Sequence, residues 1–128
     1  MITSQKTISP VDQSVYVERD LATPEQIDHA LDTATRAQRE WKHVPIADRA
    51  ALCLAMVEAF VAKAGELGTE LSWQMGRPIR YTPNEVKGGF NERARSMIAA
   101  AAGALADLEV EPKQGFTRFI RHEPLGVV

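Results

Sequence analysis

Cysteine is almost missing from this chain: Cys53 is the only one among 128 residues. An internal disulfide is therefore impossible, and a lone thiol agrees with a reducing compartment, so a cytoplasmic location is expected. Long apolar runs are also missing. Nothing approaches the roughly 18 residues needed to cross a bilayer, and Met1 to Lys6 lacks the charged stretch followed by an apolar core that marks a secretory leader. No membrane partner is expected. An excess of charge of one sign is absent as well. Fifteen basic residues stand against seventeen acidic ones, net −2, and they are spread along the chain without the basic stripe that phosphate neutralisation needs, so no nucleic-acid partner is expected. Histidine is scarce: His29, His43 and His122 stand singly, with no Cys or carboxylate at ligand spacing, and no metal site is expected. Internal repeats and low-complexity tracts are not found.

What is present is ordinary for a folded chain, with 45% hydrophobic and 25% charged residues, a balance that argues against wholesale disorder. The length suits about one domain. Val15-Tyr16-Val17, directly after the turn-like Ser9 to Ser14, predicts a short edge or hairpin strand. Thr23-Pro24-Glu25-Gln26 reads as a helix start with a capping box, and Ile27, Ala30, Leu31, Ala34, Ala37 and Trp41 share one face of a helix running to about Lys42. Val44-Pro45 interrupts it. A second helix, Ile46 to Lys63, has an apolar surface wider than one stripe, from Ala50, Leu52, Cys53, Met56, Val57, Phe60 and Val61. Leu67 to Met75 suggests a short third helix, which Gly76 ends in the left-handed conformation. Thr82-Pro83-Asn84-Glu85 resembles a second capping box and opens a fourth helix to about Leu105, with Val86, Phe90, Ala94, Met97, Ile98 and Ala101 facing inward. Gly88-Gly89 predicts a bend there, or a close approach to a neighbouring backbone.

Residues 116–123 alternate without a clean solvent face, as in a strand that pairs with something else. Glu123-Pro124-Leu125-Gly126-Val127-Val128 reads as a turn followed by the opening of a buried strand. Each of the tempting chemical residues has a plain counterpart. Cys53, between Leu52 and Leu54, is expected to be a buried, inert thiol rather than a nucleophile. Glu92, Arg93 and Arg95 read as the wet face of the fourth helix, Trp41 and Trp73 as core or interface residues, and His122-Glu123 lacks the second histidine of a zinc-protease motif. Gly88-Gly89 is no phosphate loop, because a dinucleotide fingerprint needs three spaced glycines between a strand and a helix.

Taken in order, Val15-Tyr16-Val17, Thr23-Pro24-Glu25 leading to Gln38 and Trp41, Ala47-Asp48-Arg49, Gln74-Met75-Gly76-Arg77-Pro78 and Glu123 to Val128 resemble the N-terminal part of the aldehyde dehydrogenase superfamily. Gln74-Met75 departs from the family's more common glutamate-glycine version of that turn, which leaves the substrate open. The resemblance implies an α/β fold of which residues 1–128 are the N-terminal part only, about four helices bracketed by short β-strands. It implies that residues 116–123 form an extended arm used in assembly, with Phe116, Phe119 and Ile120 as its contact residues. Residues 124–128 would then begin a truncated dinucleotide-binding strand. The implied activity is NAD(P)-dependent oxidation of an aldehyde to a carboxylate. The family's nucleophilic cysteine, general-base glutamate, oxyanion asparagine and cofactor fold all come after E-P-L-G-V-V, so no catalytic, cofactor-binding or metal residue is assigned here, and no cofactor is expected on this chain alone. Self-association through the arm, or a missing catalytic half, is the expected partner. A stand-alone helical interaction module is the alternative, and a truncated or split reading frame a third possibility.

Overall fold

The computed structural model describes residues 3–128. An antiparallel hairpin comes first: β1 (Ser4–Ile8) pairs with β2 (Val15–Asp20) from Ser4 opposite Asp20 to Ile8 opposite Val15, with a bulge at Thr7/Ile8. The expected Val15 strand is present and its partner β1 was not foreseen, because Gln5 and Lys6 give that segment little apolar alternation. The turn is closed by Ser9 and Ser14, whose backbones bond at 2.9 Å, and Gln13 takes a positive φ of 63°. Ser9 is fully buried, and its hydroxyl donates to the Trp73 carbonyl at 2.7 Å, tying the hairpin to the third helix.

Helix α1 (Pro24–Trp41) starts with the capping box its sequence predicts: Thr23 Oγ1 accepts from the Gln26 amide at 3.3 Å, and Gln26 Oε1 accepts from the Thr23 amide at 2.8 Å. None of its residues is buried. Helix α2 (Ile46–Ala62) follows Pro45 as expected, yet of its wide apolar surface only Val57 is buried. Helix α3 (Ala64–Met75) ends at Gly76, whose φ of +70° is the left-handed cap that favours glycine there. Gly68 is buried where α3 crosses the next segment, and a Cβ there would lie 2.9 Å from the Pro83 backbone nitrogen.

The fourth helical segment differs in two ways from its sequence reading. Thr82 is not a cap: α4 (Thr82–Asn84) has Tyr81 at the cap position, and the buried Thr82 hydroxyl lies 3.1 Å from Ser72 Oγ and donates to the Ile79 carbonyl at 3.3 Å. Pro83 at the first turn accounts for the start, since proline needs no donor there. The bend expected at Gly88-Gly89 is a widened π turn over Glu85–Phe90, which passes into α5 (Asn91–Ala104). A Cβ at Gly88 would lie 3.2 Å from Asn84 Oδ1, so the missing side chain relieves a tight contact within this turn. Helices α2 and α5 lie side by side, and the apolar interior is thin: among the described residues, Val57, Ala64 and Val86 are its buried hydrophobic members. Met97, expected to face inward, is 74% exposed, and its helix has no buried residue.

After α5, β3 (Leu108–Glu109) pairs antiparallel with β4 (Phe119–Ile120), and Lys113 bridges Phe116 across the connecting turn. Within residues 116–123 the regular strand is Phe119–Ile120, and it finds its strand partner within the chain. Residues 121–128 form no regular element.

Candidate functional site

A cleft of about 500 Å³ opens between α2, α3 and the π turn. Its walls are apolar: Phe60, Leu67, Leu71, Met75, Val86 and Phe90, with Phe60 and Phe90 in a tilted contact at 4.8 Å between ring centroids. The π turn delivers Val86 and Phe90 to this wall, and such widened turns recur at functional sites because they re-aim a few side chains without ending the helix. Charged groups stand at the rim. Arg77 donates to Glu85 Oε1 at 2.6 Å, fixing the segment after Gly76 to the start of the π turn. Glu70 accepts from the Gln74 amide at 2.9 Å. The Tyr16 hydroxyl, then Gln74, then the nearby Arg19 charge hold the Glu70 carboxyl below its usual range. The same bond to Glu70 raises Tyr16, with desolvation adding to it. A carboxylate held in its ionised form by donors is a weak proton acceptor at neutral pH. With no cysteine, serine or histidine on its lining, the cleft is suited to receiving apolar surface and offers no nucleophile.

Of the chemical residues singled out in the sequence, Arg93 lines this cleft, whereas Cys53, the three histidines, Glu92 and Arg95 do not. Cys53 is exposed, which corrects the expectation of a buried thiol. It lines a smaller apolar hollow of about 270 Å³ with Trp41, Ile46, Met97 and Leu105, and that hollow is left unfilled between the end of α1, α2 and α5. His29 and His43 are exposed, and His122 lies with Nδ1 3.1 Å from the Ala106 carbonyl. Arg95 bonds Asn91 Oδ1 at 2.8 Å and stands 3.5 Å from Glu58, while Glu92 and Arg93 are exposed, as a solvated helix face requires. Trp73 stacks on Tyr16 with centroids 6.3 Å apart, and Trp41 is 42% exposed. Phe116, Phe119 and Ile120 are exposed, with Lys113 over the Phe116 ring and Arg121 over that of Phe119. The cleft itself escaped the sequence reading, although Gly88-Gly89 flanked by Val86 and Phe90 was its signal.

A dinucleotide is held where parallel strands end against helix N-termini, with a glycine turn against the pyrophosphate. The described strands pair only antiparallel, in two separate two-stranded sheets, and Gly88-Gly89 lie inside the π turn. The described residues do not fit that group. Nor do three His, Cys, Asp or Glu side chains come together among them in a way that could hold a metal ion, and no described helix is long and apolar enough to cross a membrane.

The family model for the aldehyde dehydrogenase family matches residues 2–128. Aldehyde dehydrogenase B of Escherichia coli K12 is 29% identical over 126 residues, which is 96% of this chain and 24% of that protein. The 3,6-anhydro-alpha-L-galactose dehydrogenase of Streptomyces coelicolor is 31% identical, with 94% of this chain and 24% of its own length covered. Among solved structures, an NAD-dependent benzaldehyde dehydrogenase from Corynebacterium glutamicum superposes with a TM-score of 0.74 at 21% identity, over 88% of this chain and 24% of that one. The glyceraldehyde-3-phosphate dehydrogenase GapN from Methanocaldococcus jannaschii, complexed with NADP, gives 0.73 at 20% identity, covering 84% and 23%. The chain spans about a quarter of the length of these relatives. The order of hairpin, capped helix, paired helices and glycine-ended α3, together with a match along almost the whole sequence, shows that this chain belongs to the aldehyde dehydrogenase family and has the fold of its N-terminal part.

Proposed function

We propose that this chain is the N-terminal quarter of a cytoplasmic NAD(P)-dependent aldehyde dehydrogenase that oxidises an aldehyde to a carboxylic acid, and that residues 1–128 alone are silent. The observation that carries this reading is the coverage: similarity runs through nearly the whole chain and reaches only about 24% of the curated relatives. The antiparallel hairpins and the cleft without a nucleophile support the second half of the proposal, since aldehyde oxidation needs a thiol, a base and an oxyanion donor on one carbon beside the nicotinamide. The test is calorimetric titration of the 128-residue chain with NAD and with NADP, followed by an assay of aldehyde-dependent cofactor reduction. Neither binding nor turnover is the expected result. Saturable stoichiometric binding of either dinucleotide would overturn the proposal of silence.

A second reading, a helical interaction module without enzymatic activity, draws on α1, whose apolar stripe is uncovered: Ile27 is 48% and Leu31 52% exposed. A monomer that melts sharply, and whose α1 face captures a partner protein, would favour it.

A further inference from the structure

Arg49, in the first turn of α2, has its Nε buried without a hydrogen-bond partner. It enters none of the ion pairs among the described residues. This is unusual for a guanidinium, whose five N–H donors are arranged to grip two oxygens at once. The side chain lines a cavity of about 300 Å³ with Lys42, His43, Arg121, His122 and Glu123. Lys42 and His43 come from the end of α1, Arg49 from the start of α2, and the rest from the segment after β4, so the short Val44-Pro45 connection gathers them.

The charges in this cavity are unequal. Arg121 is already held by Asp107, at 2.8 Å from Nη2 and 3.2 Å from Nε. His122 is placed against the Ala106 carbonyl. Glu123 is the one carboxylate on the wall, facing the cations Lys42, Arg49 and Arg121, so the cavity keeps a positive excess even with both histidines neutral. Lys42 enters no ion pair among the described residues. A guanidinium outside every ion pair among the described residues, on the wall of a cavity with a further unpaired cation, is complementary to an oxyanion. We propose that Lys42, His43 and Arg49 form a seat for one oxyanion, a phosphate or a carboxylate group, gripped by the Arg49 fork.

The test follows the Arg49 Nε–H resonance while the chain is titrated with inorganic phosphate, and separately with acetate, at constant ionic strength. A saturable shift with Kd on the order of a millimolar is expected. Phosphate alone acting marks a phosphoryl ligand, and both acting marks the wider oxyanion class, which a carboxylate side chain also supplies. Phosphate binding to Arg49→Gln, read by calorimetric titration because this variant lacks the reporting resonance, should weaken by about tenfold relative to the unaltered chain. Because Arg49 is partly buried and its loss can disturb folding, Lys42→Gln/His43→Gln, at exposed positions, is the second variant, and it should weaken the shift while leaving the fold intact. No saturable shift with either anion, or an undiminished shift in the Lys42/His43 variant, would overturn the seat.

Discussion

Cys53 illustrates how much a single residue's surroundings depend on what lies opposite it. Flanked by Leu52 and Leu54, it reads as a packed thiol, yet it is exposed, on the wall of a hollow that α5 borders without filling. An alkylating reagent is therefore expected to label it in the folded chain without prior unfolding, and Cys53→Ser should change stability by no more than about 0.5 kcal/mol. Labelling followed by mass spectrometry checks the first point. Gly68 behaves oppositely. A Cβ there meets the Pro83 backbone nitrogen and ring carbon at 2.9 Å, so Gly68→Ala must push α3 away from α4 and should destabilise by about 1 to 3 kcal/mol, read from denaturant midpoints. Asp107 adds a pH dependence. Its carboxyl is lowered from 3.8, chiefly by hydrogen bonds from Arg121. A depressed carboxylate stabilises the folded form above its unfolded value and loses that contribution as pH falls through the folded one, so the β3–β4 pairing should loosen only below pH 3.8. Amide signals of Phe119 and Ile120 followed by NMR during acidification would show it, and Asp107→Asn should loosen them at neutral pH.

At the scale of elements, the caps and the turns set boundaries and the contacts set faces. Thr23 and Gln26 satisfy two otherwise orphaned amides of α1, so Thr23→Ala should cost about 1 kcal/mol of helix stability, visible as faster amide exchange in its first turn. Thr82 shows that the same letters can serve another purpose. Its hydroxyl is drawn into the contact with Ser72, and burial at that crossing outweighs a local cap. In the arm, β4 is bonded to β3 on one side, while Phe119 is 45% and Ile120 56% exposed. These two side chains are proposed to carry self-association, because an apolar strand with an open edge gains burial and cross-strand contacts. Replacing both with serine should lower the apparent mass by size exclusion, and an unchanged mass would show that the arm is not the interface.

For the whole molecule, the decisive quantity is how little apolar surface is hidden. Among the described residues, Val57, Ala64 and Val86 make up the buried hydrophobic set, while Met97 at 74% and Leu125 at 94% stand in solvent. A chain of this length normally buries far more, and large exposed apolar patches mark surfaces that await a partner. The isolated chain is accordingly expected to associate in a concentration-dependent way and to melt with low cooperativity. Light scattering and calorimetry test this, and a stable monomer with a sharp transition would favour the helical-module reading.

Residue type and spacing alone determined the capping box at Thr23, the break at Pro45, the left-handed end at Gly76, the disturbance at Gly88-Gly89 and the order of landmarks that carries the family resemblance. All of these are local, settled by φ preferences and by donors and acceptors a few residues apart. Which helix faces are covered is a property of distant segments. The exposure of Cys53 and Met97, the pairing of β1 with β2 and of β3 with β4, the capture of Thr82 by Ser72, and the unpartnered Arg49 all depend on residues brought together from far along the chain. Only the tertiary structure decided these, because periodicity states that a face is apolar and not what, if anything, lies against it.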